Sequence, residues 1–549
     1  MHGALIAMNK IKKIVAFFLF VPLICILSCR KNSGPSWDTQ ILAPLIKTSL
    51  SVNNLVTNAN AVSNADSSVT LVFRDSLYSL NIDSLFKIRD TTLISSYVSP
   101  FNIGVSPGSS IIPGGGTPSA TVYHLGSVNL SKALIKTGFV TFKVISTLQR
   151  VTDYTYSVPS ATNSGSPLAI TVQVPASTAS VKRQERDTTI SLSGYTVDFT
   201  GLSHNGYNTL ITVLNGILDP AAAAYTLTNN DSVIITAQFY GMVPEYGQGY
   251  FGETKKIIGP TKSNFPLFNG ISAGSLNLKS ASVNFTLENG FGVDARLYID
   301  SLYSMNTRPG GTNIPLTAGI VHNAININRA TATIDPLSPV IPSVQTFSLT
   351  NANSNIVQWI DNLPNAIDYK LELTTDPLGN VSGNQDFAYY GYGIKAYLDV
   401  SVPLFIAANN LTLQDTLSVN FASSSETKQV KSGTFTLYAS NLFPFSAGMQ
   451  VYMLNSNMQI ADSILIPAQI IAAGIPNTNG MVTSPTNSIL TIPLDANHAS
   501  TLFSSKKIVI KAVFNMGCST CTPIKYSKIY NTYQLNLKLI GNFDYQVKG

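Results

Sequence analysis

The chain has 549 residues and a formal net charge of +6, from 34 Lys and Arg against 28 Asp and Glu. Charged residues make up 11% of it, well below the roughly 25% of an average soluble domain. Beyond the N-terminal segment the basic residues are dispersed and form no stripe or cluster, so the chain lacks the electrostatic footprint of a nucleic-acid-binding protein. At about 100 to 200 residues per domain, the length predicts several domains.

The N-terminus has the pattern of an export signal. A basic cluster, Lys10 to Lys13, precedes an apolar run from Ile14 to Leu27 that contains Pro22. The run is shorter than the roughly 18 to 20 residues that a membrane-spanning helix needs, and proline weakens a helix further. We therefore expect a secretory signal peptide over residues 1–28 and not a stable membrane span.

The run ends in Ile26-Leu27-Ser28-Cys29, which resembles the lipobox of bacterial lipoprotein signal peptides. The resemblance implies that Cys29 becomes the first residue, carries a lipid on its thiol and amine, and anchors the protein to a membrane. Residues 29–36 form a short polar tether. Because Arg30-Lys31-Asn32-Ser33 departs from the acidic surface-export pattern of Bacteroidota lipoproteins, we expect the periplasmic face of the outer membrane, with the cell surface as the alternative.

Strand patterns dominate the rest of the chain. Apolar and polar residues alternate in Val140–Val144, Val283–Leu287, Thr434–Leu437 and Leu535–Ile540. Turn clusters rich in Gly and Pro separate such runs, for example Pro113–Gly116. The pattern predicts an all-β fold of several antiparallel β-sandwich-like domains in tandem, with few short helices.

An internal repeat suggests how these domains are arranged. Val283–Val293 and Thr434–Phe445 share a strand-turn outline, and Val140–Tyr156 has a similar one. We predict an N-terminal β-region over residues 37–130 and three related β-domains over residues 131–262, 263–425 and 426–549.

Two resemblances follow from these features. Asn441-Leu-Phe-Pro-Phe445 after its strand resembles the type 2 late-embryogenesis-abundant domain, which implies immunoglobulin-like sandwiches in the second and third β-domains. The lipobox together with abundant Asn and Thr resembles lipoproteins of Bacteroidota. Neither resemblance supplies a catalytic residue.

Cys518 and Cys521 are the two cysteines that remain outside the signal segment. In an oxidising periplasm we expect them to form a short disulfide that closes a turn. Redox chemistry would need the first cysteine at a helix N-terminus, and a zinc site would need a second Cys or His pair; neither feature is indicated nearby.

No enzymatic constellation stands out. The five histidines are scattered, and none has the spacing of a helical zinc site. Gly-x-Ser-x-Gly occurs at Gly104–Gly108 and Gly270–Gly274, but neither leads from a strand into a helix as a hydrolase nucleophile must. We therefore expect no catalytic site, no metal and no cofactor.

Two segments combine glycine with aromatic residues, Pro244–Gly252 and Asp386–Gly393. Their tyrosines are either bends and sheet edges packed by aromatic rings, which we favour, or a ligand-binding surface with hydroxyl groups. The candidate ligand-binding residues are Tyr246, Tyr250, Tyr389, Tyr390 and Tyr392.

Asp followed by Ser or Thr recurs along the chain in a form that resembles the O-glycosylation motif of Bacteroidota. The alternative is that these pairs mark the starts of strands, where their side chains bond to nearby backbone groups. The candidate attachment residues are Ser76, Ser84, Thr91, Thr188, Ser232, Ser301, Thr416 and Ser463.

Together these features predict a non-enzymatic, lipid-anchored envelope protein that acts as a binding or structural scaffold for another envelope protein or a glycan. The alternative is a periplasmic carrier of lipid or another apolar ligand, which the mean hydropathy of +0.18 suggests. A carrier requires a continuous apolar cavity of about 300 Å³ or more, whereas a scaffold requires filled cores.

Overall fold

The computed structural model of the protein describes residues 36–54, 60–271, 273–419, 430–516 and 524–548. Antiparallel strands make up most of these ranges, and two short α-helices interrupt them. The prediction of an all-β chain with several antiparallel sheets is confirmed. None of the helices within these ranges has the length and apolar character needed to cross a membrane.

The strands up to residue 278 are β1 (Ser36–Ser51), β2 (Asn60–Ser63), β3 (Val69–Leu80), β4 (Thr91–Val98), β5 (Ile103–Val105), β6 (Pro118–Val122), β7 (Asn129–Ser146), β8 (Thr152–Asn163), β9 (Ser166–Val174), β10 (Gln184–Ser191), β11 (Thr196–Asp198), β12 (Thr209–Leu218), β13 (Tyr225–Leu227), β14 (Ser232–Tyr250), β15 (Thr254–Asn264) and β16 (Ala273–Leu278).

The remaining strands are β17 (Ser282–Asn289), β18 (Ala295–Met305), β19 (Asn313–Pro315), β20 (Ala324–Ile327), β21 (Thr331–Ala332), β22 (Val340–Ile341), β23 (Ser343–Thr350), β24 (Ala366–Thr375), β25 (Asp386–Tyr389), β26 (Ile394–Pro403), β27 (Phe405–Ser418), β28 (Val430–Asn441), β29 (Ser446–Leu454), β30 (Ile460–Ile471), β31 (Thr486–Leu494), β32 (Lys507–Asn515), β33 (Ser527–Lys528) and β34 (Gln534–Lys548). The α-helices are α1 (Ile356–Asp361) and α2 (Ala496–Ser504), and single 3₁₀ turns cover Val52–Asn54, Ile82–Ser84 and Pro266–Phe268.

The chain forms two compact units. We call the described residues within 1–55, 270–275 and 407–549 the terminal unit, and those within 56–269 and 276–406 the central unit. The domain boundaries drawn from the sequence stay a prediction.

The terminal unit contains a sheet in the order β1-β34-β28-β31 and a second in the order β16-β27-β32-β29-β30. Strand β1 pairs antiparallel with β34 from Ser36 to Ser51. Helix α2 packs against β28. Its N-terminus is capped by Asp495, whose carboxylate accepts hydrogen bonds from the Asn497 and His498 N–H groups at 2.9 Å. Such caps satisfy backbone donors that the first helical turn leaves without partners.

The central unit contains two five-stranded sheets, one built on the path β2-β3-β26-β17-β23 and the other on β15-β24-β18-β19 with β20 beside β18. Strands β24 and β26 alternate strictly between buried and half-buried residues. This alternation gives each sheet one apolar face for the core. Helix α1 contributes Trp359, which is 1% exposed and packs edge-to-face on Phe265 with a ring-centre distance of 6.2 Å.

A ten-stranded sheet, also in the central unit, follows the path β25-β14-β7-β11-β8-β12-β6, with β4 beside β14, β10 beside β7 and β9 beside β8. Its core includes Phe142 and Tyr156, whose rings stack with centres 5.6 Å apart.

A buried asparagine holds the corner after β17. Asn289 is 0% exposed, and its Oδ1 accepts the Phe291 N–H at 2.9 Å. Its Nδ2 donates to the carbonyls of Val293 at 2.8 Å and Asn328 at 2.9 Å. The Ala330 N–H closes the corner on the Phe291 carbonyl at 2.7 Å. One side chain therefore bonds to three backbone groups and ties together two backbone segments that turn away from the sheet ladder.

The same arrangement recurs in the terminal unit. Asn441, also 0% exposed, accepts the Phe443 N–H at 2.9 Å and donates to the carbonyls of Phe445 at 2.9 Å and Ala472 at 2.8 Å. The Gly474 N–H bonds to the Phe443 carbonyl at 2.8 Å. The two segments that are alike in sequence thus make the same set of hydrogen bonds.

A similar corner with fewer side-chain hydrogen bonds follows β7. The Oγ of buried Ser146 accepts the Leu148 N–H at 3.2 Å, and the Ser177 N–H donates to the Leu148 carbonyl at 2.8 Å. Serine has one oxygen and lacks the amide group that makes the two further bonds of asparagine.

We expect Asn289→Ala to lower the free energy of unfolding of the central unit by about 2 to 4 kcal/mol, because two buried carbonyls and one N–H lose their partner. Urea unfolding measures the change. Asn284→Ala is the matched control, since Asn284 lies on the exposed face of the same strand and accepts a bond from Ser348. Equal, small effects of both substitutions would contradict the role of the corner.

Candidate binding surface

The predicted site residues differ in what the structure describes. Cys29, Cys518 and Cys521 lie outside the described residues, so their lipidation and disulfide stay predictions. The five candidate tyrosines are all described, and they belong to β14, to β25 and to the residues that follow β25.

The two segments rich in Gly and Tyr become neighbours in the fold. Strand β25 pairs antiparallel with the end of β14, with Tyr246 opposite Tyr389 and Gly249 opposite Asp386. Residues opposite each other on antiparallel strands project to the same face of a sheet. The pairing therefore brings two segments that are well separated in sequence into one surface.

Three aromatic rings form this surface, and we call Phe387, Tyr389 and Tyr246 the aromatic row. The ring centres of Tyr246 and Tyr389 are 4.6 Å apart, and those of Phe387 and Tyr389 are 6.1 Å apart. All three side chains are half-buried. Burial, with a smaller contribution from Tyr389, raises the pKa of Tyr246 to about 12. The row is thus an uncharged apolar strip that carries two hydroxyl groups.

Packing on the opposite face of these strands explains why residue 247 is a glycine. A Cβ atom on Gly247 would lie 2.3 Å from the ring of Phe86, so only glycine fits there. The Phe86 ring in turn stacks on Phe251 with a centre distance of 5.1 Å. Close packing on this buried side therefore supports the aromatic row on the other side.

Charged and amide groups lie around the row. The Lys136 Nζ is 3.2 Å from the Glu245 carboxylate and 3.4 Å from the ring centre of Tyr390, which is 42% exposed. On the other side, the Gln248 Nε2 donates to the Gln385 Oε1 at 2.7 Å. These groups provide hydrogen-bond donors and acceptors next to the apolar rings.

The other two candidate tyrosines have local roles. The Tyr250 hydroxyl accepts the Glu253 N–H at 3.1 Å, and the Tyr392 N–H donates to the Tyr389 carbonyl at 3.3 Å.

Sequence reasoning missed Phe387, Glu245 and Gln248, although they lie within the two segments, and it missed Lys136 because that residue comes from β7. The alternation within Asp386–Tyr389 was the signal that could have identified Phe387.

A buried pair of acids fixes the start of β25. Asp376 and Asp386 are 3% and 1% exposed, and the Oδ2 of each accepts no conventional hydrogen bond within the described ranges. The Asp386 Oδ1 lies 3.1 Å from the Arg329 guanidinium, which also donates to the carbonyls of Gly292 and Gln385. Arg329 therefore links β25 to the corner after β17.

Both acids of this pair have a raised pKa. Burial raises the pKa of Asp376 to about 8; the charge of Asp386 adds to this, and Arg329 opposes it. Burial also raises the pKa of Asp386, although Ser382 and Arg329 oppose the change. Because Arg329 contacts Asp386, the raised pKa of Asp376 favours a proton on Asp376.

Other candidate groups are dispersed. Within the described ranges, no three His, Cys, Asp or Glu side chains are arranged to hold a metal ion. Gly104 lies on β5, and Gly108 follows in a turn with a φ of 78°, whereas Ser272 of the second Gly-x-Ser-x-Gly segment lies outside the described residues.

The candidate glycosylation residues lie on strands or beside turns and are exposed in three cases: Ser76, Ser84 and Thr416. Thr91, Thr188, Ser232, Ser301 and Ser463 are half-buried. Some of the preceding aspartates bond within the fold. Asp231, for example, accepts the Tyr225 hydroxyl at 2.8 Å and the Thr228 N–H at 2.7 Å. Both interpretations of the motif stay predictions.

Comparison with known proteins assigned the chain to no family. No family model matches the chain, and no curated protein matches it. Among solved structures, the chain is similar to a protein from Parabacteroides distasonis described as secreted, with 10% identity, a TM-score of 0.27, and coverage of 91% of this chain and 99% of the other. The infectious bursal disease virus VP2 subviral particle has 10% identity and a TM-score of 0.11 over 91% and 86% of the two chains. Likeness at these TM-scores carries no functional argument.

We expect Asp376→Asn to flatten the pH dependence of stability. In the wild type, the raised pKa of Asp376 means that its contribution is complete below about pH 4 and is lost as the pH rises towards about 8. A neutral amide should therefore reduce the loss of unfolding free energy between about pH 5 and pH 9 by roughly 1 to 3 kcal/mol. Urea unfolding at both pH values measures it.

Asp335→Asn, on an exposed turn, is the control and should keep the wild-type profile. Asp361, whose pKa burial raises to about 7, should leave a residual slope in every variant. An unchanged slope in Asp376→Asn would show that Asp376 is ionised in the folded protein.

Proposed function

We propose that this chain is a non-enzymatic, lipid-anchored scaffold of the bacterial envelope that binds glycan through the aromatic row. The observation that carries the proposal is the convergence of Phe387, Tyr389 and Tyr246 on one half-exposed sheet face with a polar border.

The chemistry of sugars fits this surface. A sugar ring presents an apolar face of C–H groups, which packs on aromatic rings, and an edge of hydroxyl groups, which need donors and acceptors. The row supplies the first, and Lys136, Glu245 and Gln248 supply the second. A strip on a sheet face suits a glycan chain that extends along the surface, whereas a small ligand requires a concave pocket.

The acids near the row support binding without hydrolysis. A glycosidase needs two carboxyl groups that flank the scissile bond. Asp376 and Asp386 are buried beneath the surface, and Arg329 forms an ion pair with Asp386. Neither can reach a glycan bound over the rings, so we propose a binding role and no catalytic one.

Packing within the central unit favours the scaffold over the carrier. An apolar pocket lined by Val158, Phe199 and Phe239 has a volume of about 30 Å³. A lipid chain needs a cavity on the order of ten times that size. A groove of about 670 Å³ in the terminal unit is open to solvent and is lined by both polar and apolar residues, among them Lys47, Tyr438 and Ile489.

The anchor rests on Cys29 and the lipobox. A lipid on this residue would hold the scaffold at the membrane and place its sheet faces next to envelope polymers. We propose the periplasmic face of the outer membrane because basic residues, Arg30 and Lys31, follow the cysteine.

We expect Tyr389→Ala to weaken glycan binding about tenfold or more, because it removes the central ring of the row. A glycan array with peptidoglycan fragments and bacterial surface polysaccharides identifies the ligand, and titration with that ligand gives the affinity. Tyr389→Phe should keep binding, since the ring remains. Tyr207→Ala, at an exposed tyrosine elsewhere in the central unit, is the matched control. Absence of binding by the wild type, or unchanged binding by Tyr389→Ala, would refute the proposal.

We expect Cys29→Ser to move the protein from the membrane fraction to the soluble fraction of the native host, because the acyl chains have no attachment point. Intact mass of the wild-type protein should show the diacylglyceryl and acyl groups on a chain that begins at Cys29. Additional hexose-sized increments would support O-glycosylation. Retention of Cys29→Ser in the membrane fraction would contradict the anchor.

A further inference from the structure

A second surface of the central unit lies between two strand edges. Strand β4 pairs with β14, and β6 pairs with β12. Within the described ranges neither strand has a partner on its other side. Both line one cleft of about 440 Å³, which is distinct from the aromatic row.

The ladder geometry shows which backbone groups are free on β4. Just past β4, the Ser99 N–H donates to the Asp231 carbonyl at 3.4 Å. On the other side of β14, the Thr147 N–H donates to the Ser232 carbonyl at 3.0 Å. In an antiparallel pair, every second residue directs both its N–H and its C=O to the partner. The residues of β4 that direct both groups away from β14 are Thr92, Ile94, Ser96 and Val98.

The edge of β4 is unprotected. Its sequence, Thr91-Thr-Leu-Ile-Ser-Ser-Tyr-Val98, has no charged residue and no proline, and its register with β14 has no bulge. Natural sheets block exposed edges with charged residues, prolines or bulges. Two other edge strands of the central unit have them: β10 carries Glu185, Arg186 and Asp187, and β15 carries Lys255, Lys256 and Pro260. The composition of β4 therefore indicates an edge that accepts another strand.

The cleft beside this edge is rich in hydroxyl groups. Ser95 and Tyr97 line it from β4, and Ser119 and Thr121 line it from β6. At its floor lies Tyr156, which is 4% exposed and whose hydroxyl lies beside the Thr212 side chain. These hydroxyl groups offer hydrogen bonds to small polar side chains of an occupant.

The outer side of both edges carries exposed aliphatic residues. Ile94 and Val98 on β4 are 68% and 57% exposed, and Val122 on β6 is 57% exposed. An added strand would place alternate side chains inward, against the hydroxyl groups, and outward, against these aliphatic residues.

We propose that β4 accepts an extended, uncharged segment of a partner protein as an additional strand, with small polar side chains directed into the cleft and aliphatic ones directed outward. Strand addition supplies affinity through main-chain hydrogen bonds and specificity through alternate side chains. The far wall formed by β6 and the preceding Pro113–Gly114 turn favours a single extended chain over the sheet edge of a second copy.

The test uses the full chain and two variants at one position. Ser96→Pro removes an outward N–H and leaves the ladder to β14 intact, whereas Ser96→Ala keeps that N–H. A displayed library of random eight-residue peptides is selected on each protein. Selected peptides are then synthesised and titrated by fluorescence anisotropy. Thermal unfolding followed by circular dichroism checks that both variants fold.

The expected result is enrichment, on the wild type and on Ser96→Ala, of uncharged peptides in which small polar and aliphatic residues alternate. Ser96→Pro should lose this enrichment and bind the synthetic peptides at least tenfold more weakly. No enrichment on the wild type, or equal binding by folded Ser96→Pro, would overturn the proposal. A wild-type dimer in sedimentation that Ser96→Pro abolishes would overturn it in favour of a second copy. Glycan binding by the aromatic row is scored separately, so the two proposals fail independently.

Discussion

The candidate site depends on the hydrogen bonds that the buried asparagine at the end of β17 makes. Asn289 holds the backbone at Phe291, Val293 and Asn328, and the residue that follows, Arg329, reaches Asp386 at the start of β25. β25 in turn carries Tyr389 and pairs with β14. The corner and the aromatic row are therefore connected through Asn328, Arg329 and Asp386. Such coupling is strong in a protein interior, where lost bonds are not replaced by water.

The low content of charged residues makes these buried polar groups more important. Few ion pairs are available to fix long loops, and exposed pairs contribute little to stability. Instead, amide and hydroxyl side chains hold the turns, as Asn441 does in the terminal unit and Ser146 does after β7. Repetition of one corner with two asparagines and one serine indicates that the position needs an acceptor for the N–H two residues later, while the amide donors are an addition.

The two proposed surfaces use the sheet in different ways. The aromatic row lies on a sheet face, where side chains alone contact a ligand, and glycine on the opposite side allows Phe86 to pack closely. The cleft beside β4 lies at a sheet edge, where the backbone itself offers hydrogen bonds. An all-β unit can thus present both the proposed glycan surface and the proposed peptide surface without an enclosed pocket for either.

The sequence by itself determined the fold class, because strand alternation is a local property that a run of roughly four to eight residues reveals. It also identified both segments rich in Gly and Tyr and five tyrosines within them. Only the tertiary structure decided that Tyr246 and Tyr389 are neighbours, that Tyr250 and Tyr392 bond locally, and that Lys136 from β7 joins the border. Strand order and register bring together residues more than a hundred positions apart, and no local pattern encodes that pairing. The burial that raises the pKa of Asp376 is likewise a property of the packed fold.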